Sequence, residues 1–337
     1  MAHAAELTHA RLVADELFQV RLPLPFALNH VNAYMLREPD GWTILDAGLH
    51  RPEICDLWEA AWQELGIAPS SVRRIVLTHM HPDHFGASGW LQQRTGAAVF
   101  MSPREREVAM QTWIEDLTEE RRAAVAEYER RAGVHGEVAT IIERQQDYLR
   151  SLTFPHPAEL LILAPGETVA LGGRHFRTIH APGHADGQIL FYDEANRLML
   201  CGDQVLQRIT PNIGFWPSTE PDPLGRYLAS LAELSALTVD VALPGHHGVI
   251  HNWAERLAQL QVHHANRLEA MEAAAGEGAT ALEVSYAVFN YDRFSMHEVR
   301  FAVAEALAHL EHLVVLGRLE RVEGAESRIY RSSEPRT

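Results

Sequence analysis

The stretch "LTHMHPDHFG", residues 77 to 86, places three histidines and an aspartate within six positions directly after branched apolar residues. Ile75, Val76 and Leu77 read as a short buried strand, and Asp83 after Pro82 reads as the start of a helix through "HFGASGWLQQ". The HxHxDH pattern of His79, His81, Asp83 and His84 therefore occupies a strand-to-helix loop, where a sheet can hold loop residues toward a cleft. Imidazole and carboxylate are donors that suit Zn, Fe or Mn. Alternate loop residues can address one ion while Asp83 and His84 reach a second. The chain has 20 histidines, so spacing rather than abundance carries the inference.

Three further donors sit beside glycine at the ends of strand-like runs: His184 in "HAPGHADG", Asp203 in "LMLCGDQ" and His246 in "VALPGHHG". Glycine lets the backbone turn sharply and bring such a donor inward. Around them the chain reads as a mixed α/β domain over residues 1–260. "VNAYML" and "GWTILDAG", joined by "REPDG", form an antiparallel pair. Pro52 opens an amphipathic helix in which Ile54, Leu57, Trp58, Ala61, Trp62 and Leu65 recur at helical spacing, with Gly66 as its cap. Charged, helix-favouring sequence from Pro103 to about Arg150 reads as two inserted helices broken near "AGVHG", an insertion spanning 103–157 and closed by the prolines of "FPHPAEL". Strand-like runs then return from "LLILAPG" to "VDVALPGHHG". Residues 261–337 hold helical patterns at 261–275, 279–289 and 296–316 and a hairpin in "GRLERVEGAESRIYR", a winged-helix outline.

Composition narrows the function classes. The chain has 337 residues, 47% hydrophobic and 22% charged, the ordinary balance of a globular protein. A formal charge of -16 repels phosphate backbones and argues against nucleic acid as a partner. The N-terminal stretch has no basic segment followed by an apolar core, and no window approaches the length of a membrane span, so a cytoplasmic protein is expected. Cys55 and Cys201 read as buried core thiols.

Taken in order, the five motif segments resemble the metallo-β-lactamase-fold metallohydrolase superfamily over nearly the whole chain, the opening "HVNAYMLREPDGWTILDAG" included. The C-terminal segment is similar to the winged-helix extension of its lactamase-β-2-like subgroup. The resemblance implies an αββα sandwich with a dinuclear metal centre at one edge. His79, His81 and His184 would bind the first ion, Asp83, His84 and His246 the second, and Asp203 would bridge them. The family has one ligand histidine after Pro-Gly, which selects His246 over His247. Two divalent ions are implied, zinc foremost, with Fe or Mn as alternatives.

The expected reaction is attack of metal-bound hydroxide on the carbonyl of a small acyl thioester or ester, with Asp83 also orienting the water. A lactonase or endoribonuclease of the same fold, or an iron-dependent oxidoreductase of the same fold, is the alternative. Leu206 stands where the superfamily's quorum-quenching lactonases carry tyrosine, three residues after the bridging aspartate. Between residues 261 and 331 seven Arg and no Lys face eleven acidic residues, the wrong sign for a duplex-binding wing. The tail is therefore expected to pack on the domain or to dimerise the chain. A flavodiiron enzyme would need a flavin domain, for which no segment is available.

Other residues carry softer expectations. Asp46 in "ILDAG" either orients a ligand histidine or caps the following loop. His175 and His180 read as strand or supporting residues, and His263 and His264 as solvated positions on a helix. Trp113, Tyr128, Tyr148 and Phe154 either pack the insertion on the core or line a substrate tunnel. Arg208, Phe215 and Trp216 in "RITPNIGFWP" are candidates to contact substrate, Arg208 through an anionic group.

Overall fold

The computed structural model describes residues 8–293, 296–324 and 326–333. Four antiparallel strands open the chain, β1 (Ala10–Ala14), β2 (Leu17–Pro23), β3 (His30–Glu38) and β4 (Gly41–Leu45), followed by helix α1 (Pro52–Leu65). Strand β5 (Val72–Val76), short helices α2 (Pro82–Phe85) and α3 (Ser88–Thr95), and β6 (Ala98–Met101) come next. The insertion carries α4 (Pro103–Ala109), a π-type turn (Met110–Ile114), α5 (Glu119–Arg131) and α6 (Glu137–Ser151), and leads into β7 (Leu160–Ile162). Then follow β8 (Thr168–Leu171), β9 (Arg174–His180), β10 (Ile189–Asp193), β11 (Leu198–Gly202), α7 (Pro223–Leu234) and β12 (Val241–Pro244). The chain closes with α8 (Trp253–Ala275), α9 (Ala281–Val288), α10 (Met296–Val315), β13 (Leu319–Glu323) and β14 (Arg328–Ser332).

Strands β1 to β7 form one sheet in sequence order, and β12-β11-β10-β9-β8 form a second. They pack face to face through apolar residues that point from alternate strand positions into the space between them. On β3, Tyr34 and Leu36 join Phe176, Phe191, Leu200 and Leu243 between the sheets, while Val31, Ala33 and Met35 face the other way into a layer with Trp58 and Trp62 of α1. The outer face of the second sheet is covered by α7, α8 and α10 through Leu231, Leu257 and Leu310. This is the αββα sandwich implied above, with three C-terminal helices and a small hairpin added. Burial of each large core side chain contributes on the order of 2 kcal/mol, so both outer helical layers are firmly held.

Several local expectations change. The helix after Asp83 is split in two: the Ala87 N–H bonds the Gly48 carbonyl at 2.7 Å instead of continuing the first turn. The insertion is not two helices, because the run from Pro103 breaks after Ile114 and restarts where the Thr118 side chain caps α5. The carbonyls freed at that break are taken by arginines from elsewhere: Arg121 bonds Gln111 at 3.1 Å, and Arg150 bonds Thr112 at 2.5 Å and Glu115 at 2.7 Å. Helix α8 begins at Trp253 rather than 261. Cys201 is buried, but Cys55 is only half-buried. No helix among the described residues is long and apolar enough to cross a membrane.

His264 is the clearest reversal. It is fully buried, with Nδ1 3.1 Å from Nε2 of buried His309 on α10 and its ring against Tyr227 of α7. Burial, reinforced by neighbouring cations and histidines, lowers His264 to about 2 and His309 to about 3. The unfolded chain, with histidines near 6.5, binds two protons that the folded protein refuses. Their contribution is therefore complete above about pH 6.5 and lost as the pH falls toward 3, at about 1.4 kcal/mol per pH unit for each histidine. Urea unfolding between pH 7 and 5 should show a shallower pH dependence in His264→Leu/His309→Leu than in wild type; equal slopes would contradict this account.

Candidate metal centre

One edge of the sandwich collects the strand ends that carry the donors. His79 to His84 follow β5, His184 follows β9, Asp203 follows β11 and His246 follows β12. All seven residues expected as ligands meet there. Their ligand atoms form three groups, each within 4.8 Å: His79 with His81 and His184; His79 with His84 and Asp203; and Asp83 with His84 and His246. Asp203 reaches both sides, with Oδ1 3.3 Å from His84 Nε2 and Oδ2 3.0 Å from His246 Nε2 and 3.7 Å from His184 Nε2. His81 Nδ1 and His184 Nε2 face each other at 2.9 Å.

The far side of four of the five rings is held by the surrounding chain. His84 Nδ1 donates to Asp46 Oδ2 at 2.8 Å, His184 Nδ1 to the Asn212 carbonyl at 2.8 Å, and His246 Nδ1 to the His30 carbonyl at 2.7 Å. His79 Nδ1 meets the Thr78 hydroxyl at 2.9 Å, and that hydroxyl donates to Asp46 Oδ2 at 2.9 Å. Asp46 also accepts the Thr78 N–H at 2.8 Å, so one carboxylate orients two ligand rings. Its φ of 63° lies in the left-handed region, a strained conformation that a functional site can retain. The loop at His246 is fixed by β3, where Asn32 and the Tyr34 hydroxyl both donate to the Pro244 carbonyl.

With these backs occupied, several of the inner atoms are left without a hydrogen bond. His79 Nε2, His84 Nε2, His246 Nε2 and Asp203 Oδ1 are buried without hydrogen-bond partners. Buried polar atoms left bare cost about 1–3 kcal/mol each, and cations among them remove that cost. The donor set fits a metal. Electrostatics divide it in two. Burial drives His79 well below its usual value and His81 to about 3, leaving lone pairs free to coordinate. At His84 and His246 burial acts the same way, but Asp203 and the other carboxylates outweigh it, raising His84 well above its usual value and His246 to about 10. Positive charge is thus demanded most strongly around Asp203.

A family model described as the metallo-beta-lactamase superfamily matches residues 27–246. The chain belongs to that superfamily. Its members are metallo-hydrolases, and this protein is a metal-dependent hydrolase. A second model, the metallo-beta-lactamase-like C-terminal domain, matches residues 268–333. Among solved structures, a metallo-beta-lactamase family protein from Thermus thermophilus is similar at 32% identity and TM-score 0.85, over 95% of this chain and 100% of its own. A beta-lactamase domain protein from Burkholderia ambifaria is similar at 29% identity and TM-score 0.86, over 98% of this chain and 96% of its own. Curated relatives include the probable metallo-hydrolase YqjP of Bacillus subtilis, 25% identical over 70% of this chain and 72% of its own. The acyl-coenzyme A thioesterase MBLAC2 of Gallus gallus is 25% identical over 69% of this chain and 77% of its own.

The other named residues fall outside the donor cluster. His247 is half-buried at φ 64°, beside the cluster but not in it. His175 is exposed on β9, and His180 bonds the Asp186 carbonyl at 2.9 Å. Trp113 is buried and donates to the Met80 carbonyl at 2.8 Å, whereas Tyr148 and Phe154 are exposed. The Tyr128 hydroxyl bonds the Phe215 carbonyl, and Trp216 packs on Phe301 and Arg300 of α10. Arg208 is exposed near His247. Thr78 and Asn212 were not singled out from sequence; Thr78 lies inside "LTHMH", but nothing in sequence distinguishes Asn212, which acts through its backbone.

Two substitutions probe this arrangement. Asp46→Ala should weaken metal affinity by about 10–100-fold, the usual cost of losing a partner behind a ligand, in competition with a chromophoric chelator; unchanged affinity would contradict the orienting role. At Gly245 a Cβ would lie 2.1 Å from Asp203 Oδ1 and 2.7 Å from His84 Cε1. Gly245→Ala should therefore lower bound metal in elemental analysis of folded protein, and full occupancy would show that the close approach is not needed.

Proposed function

We propose that this site holds two divalent ions, zinc foremost, and that the protein hydrolyses a small acyl thioester or ester. The observation that carries the proposal is the position of Asp203, whose two oxygens face donors of both histidine groups. When bound, such a pair of ions supplies water of lowered pKa and polarises a carbonyl. The ligand sets would be His79, His81 and His184 on one side and Asp83, His84 and His246 on the other, with Asp203 shared.

The residues divide the remaining tasks. The Asp83 side chain is 18% exposed and that of Asp203 only 8%, so Asp83 is the carboxylate that can meet water on the open side. Burial opposes its ionisation, but His84 and His246 hold it down to about 2, leaving it ionised and able to accept a hydrogen bond that orients water. Arg208 is exposed and lies close enough to His247 to lower that ring, after burial and His246 have done so. It would attract an anionic group on the substrate. Phe215 and Trp216, fixed by the insertion and α10, would flank the acyl portion.

Similarity to a thioesterase supports the bond type. The overall charge of -16 supports a small substrate over nucleic acid. The test is initial rates of metal-quantified protein on acyl thioesters, esters, lactones, a β-lactam and a phosphodiester. Turnover is expected on a thioester or ester. In folded Asp203→Ala it should fall by more than about 100-fold, beyond the loss typical of residues behind the ligands. Turnover of the phosphodiester alone, or full activity in Asp203→Ala, would overturn the proposal.

A further inference from the structure

The loops bearing the first three histidines touch one short segment of the insertion. Met80 lies between His79 and His81; its N–H donates to Glu105 Oε2 at 2.7 Å and its carbonyl accepts from Trp113 Nε1 at 2.8 Å. Gly187 lies three residues beyond His184; its N–H donates to Glu105 Oε1 at 2.6 Å and its carbonyl accepts from Ser102 Oγ at 2.6 Å. Both backbone groups of one residue in each loop are thus held by residues 102–113. Glu105 is fully buried, and its two oxygens are divided between the loops. Arg104 adds a 3.0 Å ion pair to Asp186, which Arg226 also binds at 2.9 Å. Gly187 has no room for a side chain: a Cβ would lie 2.7 Å from Arg104 Cβ and 2.8 Å from the Glu105 nitrogen.

We propose that Glu105 is a positioning residue that sets the separation between the His79–His81 loop and the His184 loop, and so shapes the first metal site selectively. The geometry gives the reason. A carboxylate offers two acceptors at a fixed spacing, and here each takes a backbone N–H from a different loop. Glutamine preserves the volume but turns one acceptor into an N–H donor that faces an N–H, which leaves one loop unheld. Two rings of the second site, His84 and His246, have supports other than this carboxylate. His84 is held by Asp46 and His246 by the His30 carbonyl. The first helix of the insertion is thereby part of the metal site's frame. This inference rests on the two-ion reading.

The test is a metal titration of full-length apoprotein, wild type and Glu105→Gln, against a competing chromophoric chelator, with the visible spectrum of the cobalt-loaded proteins recorded beside it. Wild type should bind two ions. In Glu105→Gln one ion should bind about 10–100-fold more weakly and one unchanged, with an altered cobalt spectrum. Exposed Arg106→Gln on the same helix should match wild type. Two unchanged ions and an unchanged spectrum in Glu105→Gln would overturn the proposal, as would equal weakening of both. Should Glu105→Gln fail to fold, Trp113→Phe removes only the donor to Met80, and a smaller weakening of one ion is expected; no change would overturn the proposal. A wild type that binds no metal would instead refute the two-ion reading itself.

Discussion

A buried carboxylate needs donors around it, and Asp46 obtains them from the loop that bears the metal-site histidines. It accepts the Thr78 N–H and hydroxyl and the His84 ring, and through Thr78 it reaches His79. These bonds set where His79 and His84 point, and they come from the end of β4, the strand beside β5 in the first sheet. Removing charge from water at Asp46 is offset only when this whole set forms together. The orientation of the rings is therefore a consequence of sheet formation rather than a separate adjustment of the loop.

The second sheet supplies the complement. His184, Asp203 and His246 project from the ends of its strands at the same edge, and Asp203 comes between the two histidine groups. Packing the sheets thus gathers nitrogen and oxygen donors, and the inner atoms of His79, His84 and His246 and one oxygen of Asp203 are left without hydrogen-bond partners. Such a cluster would be costly without cations. The same sandwich that buries Tyr34, Phe176 and Phe191 holds these donors in place, so hydrophobic packing sustains an arrangement that electrostatics alone would disperse.

Legibility in the sequence followed the range of the interactions involved. HxHxDH and the glycine-flanked donors could be read because each lies at the end of a short apolar run, and α1 could be read from its periodicity. Asp46 was visible as a supporting group only as one of two alternatives, since its partner Thr78 is 32 residues away. Glu105 was hidden in a charged stretch that resembles a solvated helix face. The break after Ile114 was hidden because Arg150, at least 35 residues distant in sequence, satisfies two of its carbonyls. His264 looked exposed for the same reason: the helix that covers it, bearing His309, comes 45 residues later.

The central claim is that seven side chains from four loops enclose two cations with Asp203 between them. Anomalous diffraction at the zinc edge from crystals of zinc-loaded protein tests it most directly. The account predicts two peaks at the sandwich edge, one among His79, His81 and His184 and the other among Asp83, His84 and His246, both in contact with Asp203. A single peak, or peaks that leave Asp203 without a metal contact, would contradict it.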